Sequence, residues 1–292
     1  MWPNGPVCPH CGGVERISAM KGKSTRIGTY KCYQCRKPFT VKVGTVFEAS
    51  HVKMHLWLQV IFLMASSKKG ISSNQLHRTL GVTLKTAWFM SYRIREAMRD
   101  GSFGPLGGNG EIVEVDETYF ERRAEKRTTK TSGEPLLKRG TGPSNKRAVL
   151  SLVERHGSVR SFHVAPATKQ NVATLVSDNI AHESMLFTDE SHLYPAVGAT
   201  FLDHMTVEHP AGEYVRGGVP TNTVESYFSI FKRGMQGTYQ HCAEKHLHRY
   251  LAEFDFRHNR RIALGVNDVA GADRILDGVV GKWLTYETAQ GR

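Results

Sequence analysis

The segment Glu111-Ile-Val-Glu-Val-Asp116-Glu-Thr-Tyr-Phe120 decides the fold class of the larger part of this chain. It is rich in β-branched and aromatic residues, which predicts a β-strand. Two further strands are predicted at 147–154 and 158–164, with a turn at His156-Gly157 between them. Three successive strands linked in this way favour an antiparallel start to the sheet.

Helices and strands then alternate along the chain. The pattern predicts a helix at 170–180, a strand at 185–188 that ends at Asp189, and a fifth strand within 200–207. Hairpins followed by alternating helices and strands are typical of an α/β domain with a sheet of mixed direction and flanking helices. We assign this domain to 111–265 and the residues 266–292 to a C-terminal tail.

Three carboxylates occupy positions that suit a metal-dependent active site. Asp116 lies near the end of the first strand, and Asp189 lies at the C-terminal end of the fourth, where α/β sheets place their sites. Glu225 lies in a predicted helix, Pro220-Thr-Asn-Thr-Val-Glu-Ser-Tyr-Phe-Ser-Ile-Phe-Lys-Arg233. Carboxylates from two strands and one helix can converge on a pair of Mg²⁺ ions, for which Mn²⁺ can substitute.

Each of these carboxylates has an ordinary structural explanation as well, and for Asp116 it is that of a surface residue on a strand. Asn222 and Glu225 have the spacing of a capping box, so Glu225 alone is explained as a helix cap. Asp189 is explained in the same way as the cap of a helix that begins near Ser191. The functional interpretation therefore depends on all three residues together.

Asp116 has acidic neighbours that compete with it for the role of ligand. Either Glu114 or Glu117 is an alternative to Asp116 or an assistant to it, and the sequence leaves this open. Three histidines of the same domain are candidates for assisting the chemistry, although a structural role is the more usual one. They are His204, His209 and His241.

Four of the five cysteines form two matched CxxC pairs near the N-terminus. The pairs are Cys8-Pro-His-Cys11 and Cys32-Tyr-Gln-Cys35, with twenty residues between them. Two such pairs complete a tetrahedral sulfur shell, which suits one structural Zn²⁺ ion, and leave no open position for catalysis. We predict a zinc ribbon over 1–48, with His10 beside the metal rather than bound to it.

A helical segment over 49–100 follows the ribbon. A helix is predicted at 51–67, then a short helix capped by Ser72 or Ser73, the turn Gly81-Val-Thr83, and a helix at 84–99. This is the pattern of a DNA-binding helix-turn-helix, and the alternative is an ordinary helical hairpin. In the first interpretation three residues begin the recognition helix, namely Thr83, Lys85 and Thr86.

The glycine-rich stretch at 101–110 predicts a linker, and a basic stretch at 121–146 predicts a loop that follows phosphate groups or is simply solvated. The formal net charge of +12 favours a polyanionic partner. No apolar run is long enough to span a bilayer and no signal peptide is recognisable, so we expect a cytoplasmic, nucleoid-associated protein without a membrane partner.

With these motifs in place, the chain resembles the DDE transposases of bacterial insertion sequences that are related to the eukaryotic Merlin elements. Asp189 and Glu225 are separated by thirty-five residues, a spacing familiar in DDE recombinases. The motifs that carry the resemblance are Val115-Asp-Glu-Thr-Tyr119, Thr188-Asp-Glu190, Thr221-Asn-Thr-Val-Glu-Ser226, Lys232-Arg233, Gly237-Thr-Tyr239 and His246-Leu-His-Arg-Tyr-Leu-Ala-Glu-Phe-Asp-Phe-Arg-His-Asn259.

The resemblance implies a ribonuclease H-like catalytic domain with Asp116, Asp189 and Glu225 as the ligands of catalytic Mg²⁺. It also implies binding to double-stranded DNA at terminal inverted repeats, followed by cleavage and strand transfer into target DNA. Pairing of two transposon ends favours a homodimer. The alternatives are a non-catalytic zinc-ribbon regulator and a ribonuclease H-like structure-specific nuclease. In the last helix, the arginines expected to reach DNA are Arg257, Arg260 and Arg261.

Overall fold

The computed structural model of the chain describes residues 2, 4–99, 101, 104–122, 146–207, 222–282 and 284. The chain forms two compact units, one made of Met1–Ser67, Ile71–Asp100 and Val266–Arg292, the other of Lys68–Gly70 and Gly101–Gly265. Among the helices described, none combines the length and the apolar character needed to cross a membrane. The finer division of the first unit at residues 48 and 49 stays a prediction.

The first unit begins with a small antiparallel sheet. Strands β1 (Ile17–Ala19), β2 (Thr29–Cys32) and β3 (Pro38–Thr40) follow one another in the sheet in chain order. Its buried core is minimal, because it contains Cys8, Cys32 and Phe39 with a few half-buried neighbours. A cluster of this size cannot offset the entropy of ordering the chain, so the four-cysteine site described below is the expected source of the missing stability.

Three helices follow, α1 (Met54–Ser66), α2 (Ser73–Leu80) and α3 (Leu84–Met98). The side chain of Ser72 caps α2 and that of Thr83 caps α3, each accepting a hydrogen bond from a backbone amide three residues later. Gly81 ends α2 with a φ of 65°, a left-handed conformation that favours glycine. The predicted helix, glycine turn and second helix are therefore present.

The predicted C-terminal tail contains a helix of the first unit, α8 (Asp268–Asp277), which packs against α1 and α3. After this helix the chain forms a short bridge with the segment that follows the ribbon, since Val46 N donates to Val279 O over 3.0 Å and Gly281 N donates to Gly44 O over 2.9 Å. The sequence pattern alone gives no role to this segment, because all these partners lie within the first hundred residues of the chain.

The second unit contains a five-stranded sheet. Its strands are β4 (Ile112–Arg122), β5 (Lys146–Glu154), β6 (Val159–Val164), β7 (Met185–Asp189) and β8 (Asp203–Val207), in the order β6-β5-β4-β7-β8. β4, β5 and β6 are antiparallel, whereas β7 runs parallel to β4 and β8 runs parallel to β7. This confirms the mixed sheet of a ribonuclease H-like domain.

The two faces of the sheet receive different helices. Val113 and Val115 face a core that includes α4 (Lys169–Asn179) and the short α5 (Pro195–Gly198). The alternate residues of β4 face α6 (Asn222–Gly234), where Phe120 meets Phe231 edge to face at 5.1 Å. β4 runs on to Arg122, so Asp116 lies in the middle of the strand and not near its end as predicted.

The last helix of this unit, α7 (Leu247–Asn259), covers the edge strand β6. The side-chain amide of Asn259 accepts from Val159 N over 2.6 Å and donates to Val159 O over 2.9 Å. Asp255 Oδ2 accepts from Ser161 N over 2.8 Å. Helix side chains thus take up backbone groups that an open sheet edge would leave unpaired.

Asp255 is also the centre of a polar cluster between α6, α7 and the sheet. Its Oδ1 accepts from Tyr227 Oη over 2.6 Å and from Ser161 Oγ over 2.7 Å. Burial outweighs these hydrogen bonds and raises the pKa of the Asp255 carboxyl from 3.8 to about 6. The folded protein therefore binds this proton more tightly than the unfolded chain does.

We predict that this carboxyl makes stability fall as the pH rises. Its contribution is complete below the unfolded pKa of 3.8 and is lost as the pH passes the folded value of about 6. Between about pH 5 and about pH 7.5, the free energy of unfolding should fall by roughly 1 kcal/mol more in the wild type than in Asp255→Asn. Urea unfolding followed by far-ultraviolet circular dichroism measures this.

The nearby His258 titrates in the same pH range with the opposite effect on stability. The comparison with Asp255→Asn isolates the effect of Asp255, because the effect of His258 is common to both proteins. Burial lowers the pKa of His258 to about 4, so this histidine costs stability as the pH falls, in both proteins alike. Parallel pH profiles of the two proteins would show that Asp255 is not the group responsible.

Candidate active site and zinc site

Asp116 and Asp189 lie side by side because their strands are parallel neighbours. The register pairs Val115 with Thr188, so the next residue of each strand is one of the two aspartates. β7 ends at Asp189, which leaves space beside β4 beyond that point. Oxygen atoms of Asp116, Asp189 and Glu117 all lie within 4.8 Å of one another, the arrangement expected of carboxylates that share a cation.

The electrostatics of Asp116 reflect this crowding. The pKa of its carboxyl is raised from 3.8 to about 7, first by burial and then by the negative charges of Asp189, Glu117 and Glu225. Three half-buried carboxylates this close together fit a hard divalent cation such as Mg²⁺ or Mn²⁺. The positive charge of the cation would relieve the repulsion among the carboxylates.

Glu225 lies in the first turn of α6, on the exposed side of the helix. Its neighbour Val224 is buried, as are Tyr227 and Phe228, so the apolar face of α6 packs inward while Glu225 points elsewhere. The charge of Glu225 reaches Asp116, yet Glu225 is not part of the described group whose ligand atoms lie within 4.8 Å of one another. The structure thus brings Glu225 towards the two aspartates from α6, outside the group formed by Asp116, Glu117 and Asp189.

Glu117, which sequence analysis left as an alternative, belongs to this acidic group. Its carboxylate accepts a short hydrogen bond from Tyr194 Oη and one of 3.4 Å from Ser191 Oγ. Burial is the main cause that raises the pKa of Glu117, and Asp189 adds to it. Glu117 therefore connects β4 to the segment that directly follows Asp189.

Glu114, the other alternative, is not part of this group. Its side chain is fully buried and forms an ion pair of 3.2 Å with Arg155. Its other oxygen, Oε2, accepts from the backbone amides of Thr223 and Val224, each over 3.0 Å. These amides at the start of α6 are thus capped by a strand residue. The helix predicted to begin near Ser191 is not found there, since α5 begins at Pro195. Asp189 therefore caps a turn rather than a helix, its Oδ1 accepting from Ser191 N over 3.1 Å.

The three candidate histidines near the site have different surroundings. His204 Nε2 lies 3.0 Å from Thr188 Oγ1, so this ring is used to hold the residue before Asp189. Burial lowers the pKa of His204, which favours its neutral form. His241 follows the π-helical turn Met235–Tyr239 and is exposed. His209 lies outside the described residues, as does most of the basic stretch at 121–146.

The expected DNA contacts of the last helix need correction. Arg257 has a nearly buried side chain and forms a short ion pair with the fully buried Glu253. Arg261 donates to Gly157 O over 3.1 Å and to His258 O over 2.7 Å, and Arg260 donates to Asn259 O over 3.2 Å. Arg257 is therefore a structural residue, because burial and its ion pair withdraw it from any DNA surface.

The four cysteines of the first unit form the second candidate metal site. Their sulfur atoms all lie within 4.8 Å of one another, with Cys8 and Cys35 at 3.6 Å and Cys11 and Cys32 at 3.7 Å. The backbone N–H of Cys35 is the main cause that lowers the pKa of the Cys32 thiol to about 7. Four sulfur donors, one of them readily ionised, fit Zn²⁺. The exposed His10 is not part of the group.

Comparison with known proteins identifies both parts of the chain. Residues 105–259 match the family model of the ISXO2-like transposase domain, and residues 1–38 match the transposase zinc-ribbon domain. An uncharacterized protein in transposable element ISH50 of Halobacterium salinarum is 29% identical over 265 residues, which are 88% of this chain and 86% of that protein.

Two solved structures are similar over much of the chain. The simian T-cell lymphotropic virus intasome in complex with PP2A regulatory subunit B56 gamma gives a TM-score of 0.33 at 15% identity, over 64% of this chain and 65% of that chain, just under two thirds of it. The Mos1 strand transfer complex gives a TM-score of 0.29 at 11% identity, over 78% of this chain and 79% of that chain. The matched domains, and not these structures, establish that the chain belongs to the ISXO2-like transposases of insertion sequences.

Proposed function

We propose that this transposase cleaves and joins DNA at the terminal inverted repeats of its insertion sequence, with Asp116, Asp189 and Glu225 as the ligands of catalytic divalent metal ions. The observation that carries the proposal is the convergence of Asp116 and Asp189 at the end of β7. The charge of Glu225 reaches the same place from α6. Mg²⁺ is the proposed ion, two per site, with Mn²⁺ as its substitute.

When bound, such ions would activate a water or a 3′-hydroxyl and stabilise the leaving oxygen of a phosphodiester. The chain supplies the rigid frame for this chemistry. Asp116 and Asp189 lie on adjacent hydrogen-bonded strands, so their separation is fixed by the sheet. Hydrogen bonds from Tyr194 and Ser191 hold Glu117 next to them, and this fixes the segment after Asp189.

Glu117 enters the proposal as a carboxylate that supports the site rather than as a member of the triad. Its oxygens accept hydrogen bonds from Tyr194 Oη and Ser191 Oγ, which tie the carboxylate to the segment after Asp189 and still leave it lone pairs for a cation. Its charge nevertheless adds to the field at Asp116. A site with this much negative charge binds a divalent cation more tightly than two isolated aspartates would.

DNA recognition is proposed for the first unit. The ribbon carries eight lysines and arginines within residues 1–48. Arg78 of α2 is exposed, as are Leu84 and Lys85 at the start of α3. An exposed helix start after a short glycine turn has the form of a recognition helix. Because two transposon ends must be joined in one reaction, we propose that the protein acts as a homodimer on paired ends, within the nucleoid.

Each of the variants Asp116→Ala, Asp189→Ala and Glu225→Ala should reduce strand cleavage by more than about a thousandfold, because each loses a ligand to the metal that stabilises the transition state. Binding to the terminal repeat should stay within about twofold, since phosphate contacts and not these carboxylates determine affinity. Labelled terminal repeats incubated with Mg²⁺ or Mn²⁺ give both measurements.

Asp178→Ala is the matched control, because it removes an exposed carboxylate from α4 of the same unit. It should cleave at the wild-type rate. Full activity in any one triad variant would remove that residue from the site. Tight end binding by the wild type with no cleavage in either metal would instead identify a DNA-binding regulator, and cutting of branched DNA without joining would identify a nuclease.

The zinc ribbon gives a separate prediction. Native mass spectrometry of the purified chain should show one zinc ion, and Cys11→Ser should lose it and weaken end binding by at least about tenfold, because the ribbon depends on the metal to fold. Cys242→Ser is the control, since Cys242 lies in the second unit, outside the four-cysteine group. A Cys11→Ser chain that retains its zinc would overturn the assignment of this cysteine as a ligand.

A further inference from the structure

Glu114 is a fully buried carboxylate that the proposed chemistry does not use. It lies on β4 two residues before Asp116, and side chains two apart on a strand share one face. That face of β4 packs against α6, the helix that carries Glu225. Burial of an acidic side chain is costly unless its charge is balanced and its oxygens are hydrogen-bonded.

Both requirements are met, by the backbone at the start of α6 and by the side chain of Arg155. Oε2 accepts from the amides of Thr223 and Val224 in the first turn of α6, each over 3.0 Å. Oε1 accepts from the guanidinium of Arg155, with 3.2 Å to Nη2 and 3.4 Å to Nε. The guanidinium of Arg155 in turn lies over the ring of Phe187 on β7, 5.4 Å from its centroid.

We infer that Glu114 is a positioning residue that holds Glu225 in register with Asp116. The inference rests on the proposed function, because it requires that Asp116 and Glu225 share a metal site. The Glu114 carboxylate joins the strand of Asp116 to the backbone directly before Glu225. Glu114 lies two residues before Asp116, and Val224, whose amide it binds, lies one residue before Glu225. These two hydrogen bonds join β4 to the backbone amides of this first turn.

The strength of the contact follows from its chemistry. Hydrogen bonds to an ionised acceptor are about twice as strong as neutral ones, and the start of a helix favours a negative charge. A glutamate is also a suitable length, since it spans the gap from sheet to helix and satisfies two amides with one oxygen. A residue that only filled the core would need neither the charge nor this orientation.

The variant that tests the inference is Glu114→Gln, in the full-length, zinc-loaded protein. It keeps the size of the side chain but removes the charge that holds the amides and balances Arg155. The apparent affinity for Mg²⁺ should weaken by about 10- to 100-fold, as it does when residues that orient metal ligands are changed. The cleavage rate at saturating Mg²⁺ should recover towards the wild-type rate.

A second readout locates the change within the site. Fe²⁺ with ascorbate and peroxide cuts the backbone next to a bound metal, and excess Mg²⁺ suppresses the cuts. In the wild type we expect cuts near residues 116, 189 and 225, mapped by mass spectrometry. In Glu114→Gln the cuts near 225 should fall by about tenfold, while those near 116 and 189 persist within about twofold.

Glu253→Gln is the matched control. Glu253 is equally buried, pairs with Arg257 as Glu114 pairs with Arg155, and lies on α7 outside the acidic group. It should lower the unfolding temperature without changing the cutting pattern. If Glu114→Gln folds poorly, Glu114→Gln with Arg155→Met removes the unpaired arginine and keeps an apolar side chain against Phe187. That double variant should show the same selective loss near 225.

A double-mutant cycle shows whether Glu114 acts through Glu225. In the Glu225→Ala background, Glu114→Gln should change Mg²⁺ affinity by less than about twofold, whereas independent effects would repeat the full loss. Wild-type cuts near 225 in Glu114→Gln would overturn the positioning role while leaving the proposed function intact. Absence of cuts near 225 in the wild type would remove Glu225 from the metal site, and the inference would fail with it.

Discussion

Carboxylates that lie close together in a half-buried site repel one another. The active site of this transposase therefore depends on the strand that holds them together. Strand β4 is the central strand of its sheet, with β5 on one side and β7 on the other. Its parallel pairing with β7 places Asp116 beside Asp189. The pKa of Asp116 is raised first by burial and then by the negative charges of Asp189, Glu117 and Glu225, so both burial and repulsion oppose its ionised form. The sheet bears the cost of this arrangement because many backbone hydrogen bonds fix β4, so the site is preorganised for a cation.

The C-terminal motif that begins at His246 supports the same frame from the opposite edge. Its conspicuous polar residues face the protein, since Asn259 and Asp255 bind the backbone of β6, and Arg257 neutralises the buried Glu253. Covering the edge strand has a consequence for the site, because α7 also packs against α6 through Phe254 and Phe231. The motif therefore stabilises the helix of Glu225 from behind, and folding explains its Glu253, Asp255 and Arg257.

The sequence predicted the features that are local and missed those that depend on distant pairing. Each CxxC knuckle is a local turn, and the end of a strand at Asp189 is visible from hydrophobic pattern alone. The partners of Glu114 are not local in this sense, because nothing in the pattern of β4 indicates that Glu114 meets the amides of a helix more than a hundred residues later. The same reason explains why α8 was taken for a tail. The acidic character of Glu114 does not single it out either, because β4 also contains Asp116, Glu117 and Glu121.

Three acidic residues of β4 between Glu114 and Glu117 thus have three different roles in a space of about ten ångströms. Glu114 binds the start of α6, Asp116 lies beside Asp189 as a proposed metal ligand, and Glu117 binds the segment after β7. Substitution of any of the three is expected to reduce activity, because ligand geometry depends on the supports as much as on the ligand itself. Loss of activity at one of these positions therefore does not identify a metal ligand. A residue is identified as a metal ligand only where its substitution removes metal contact at that residue. A residue is identified as a support only where its substitution has no effect once the ligand that it supports has been substituted.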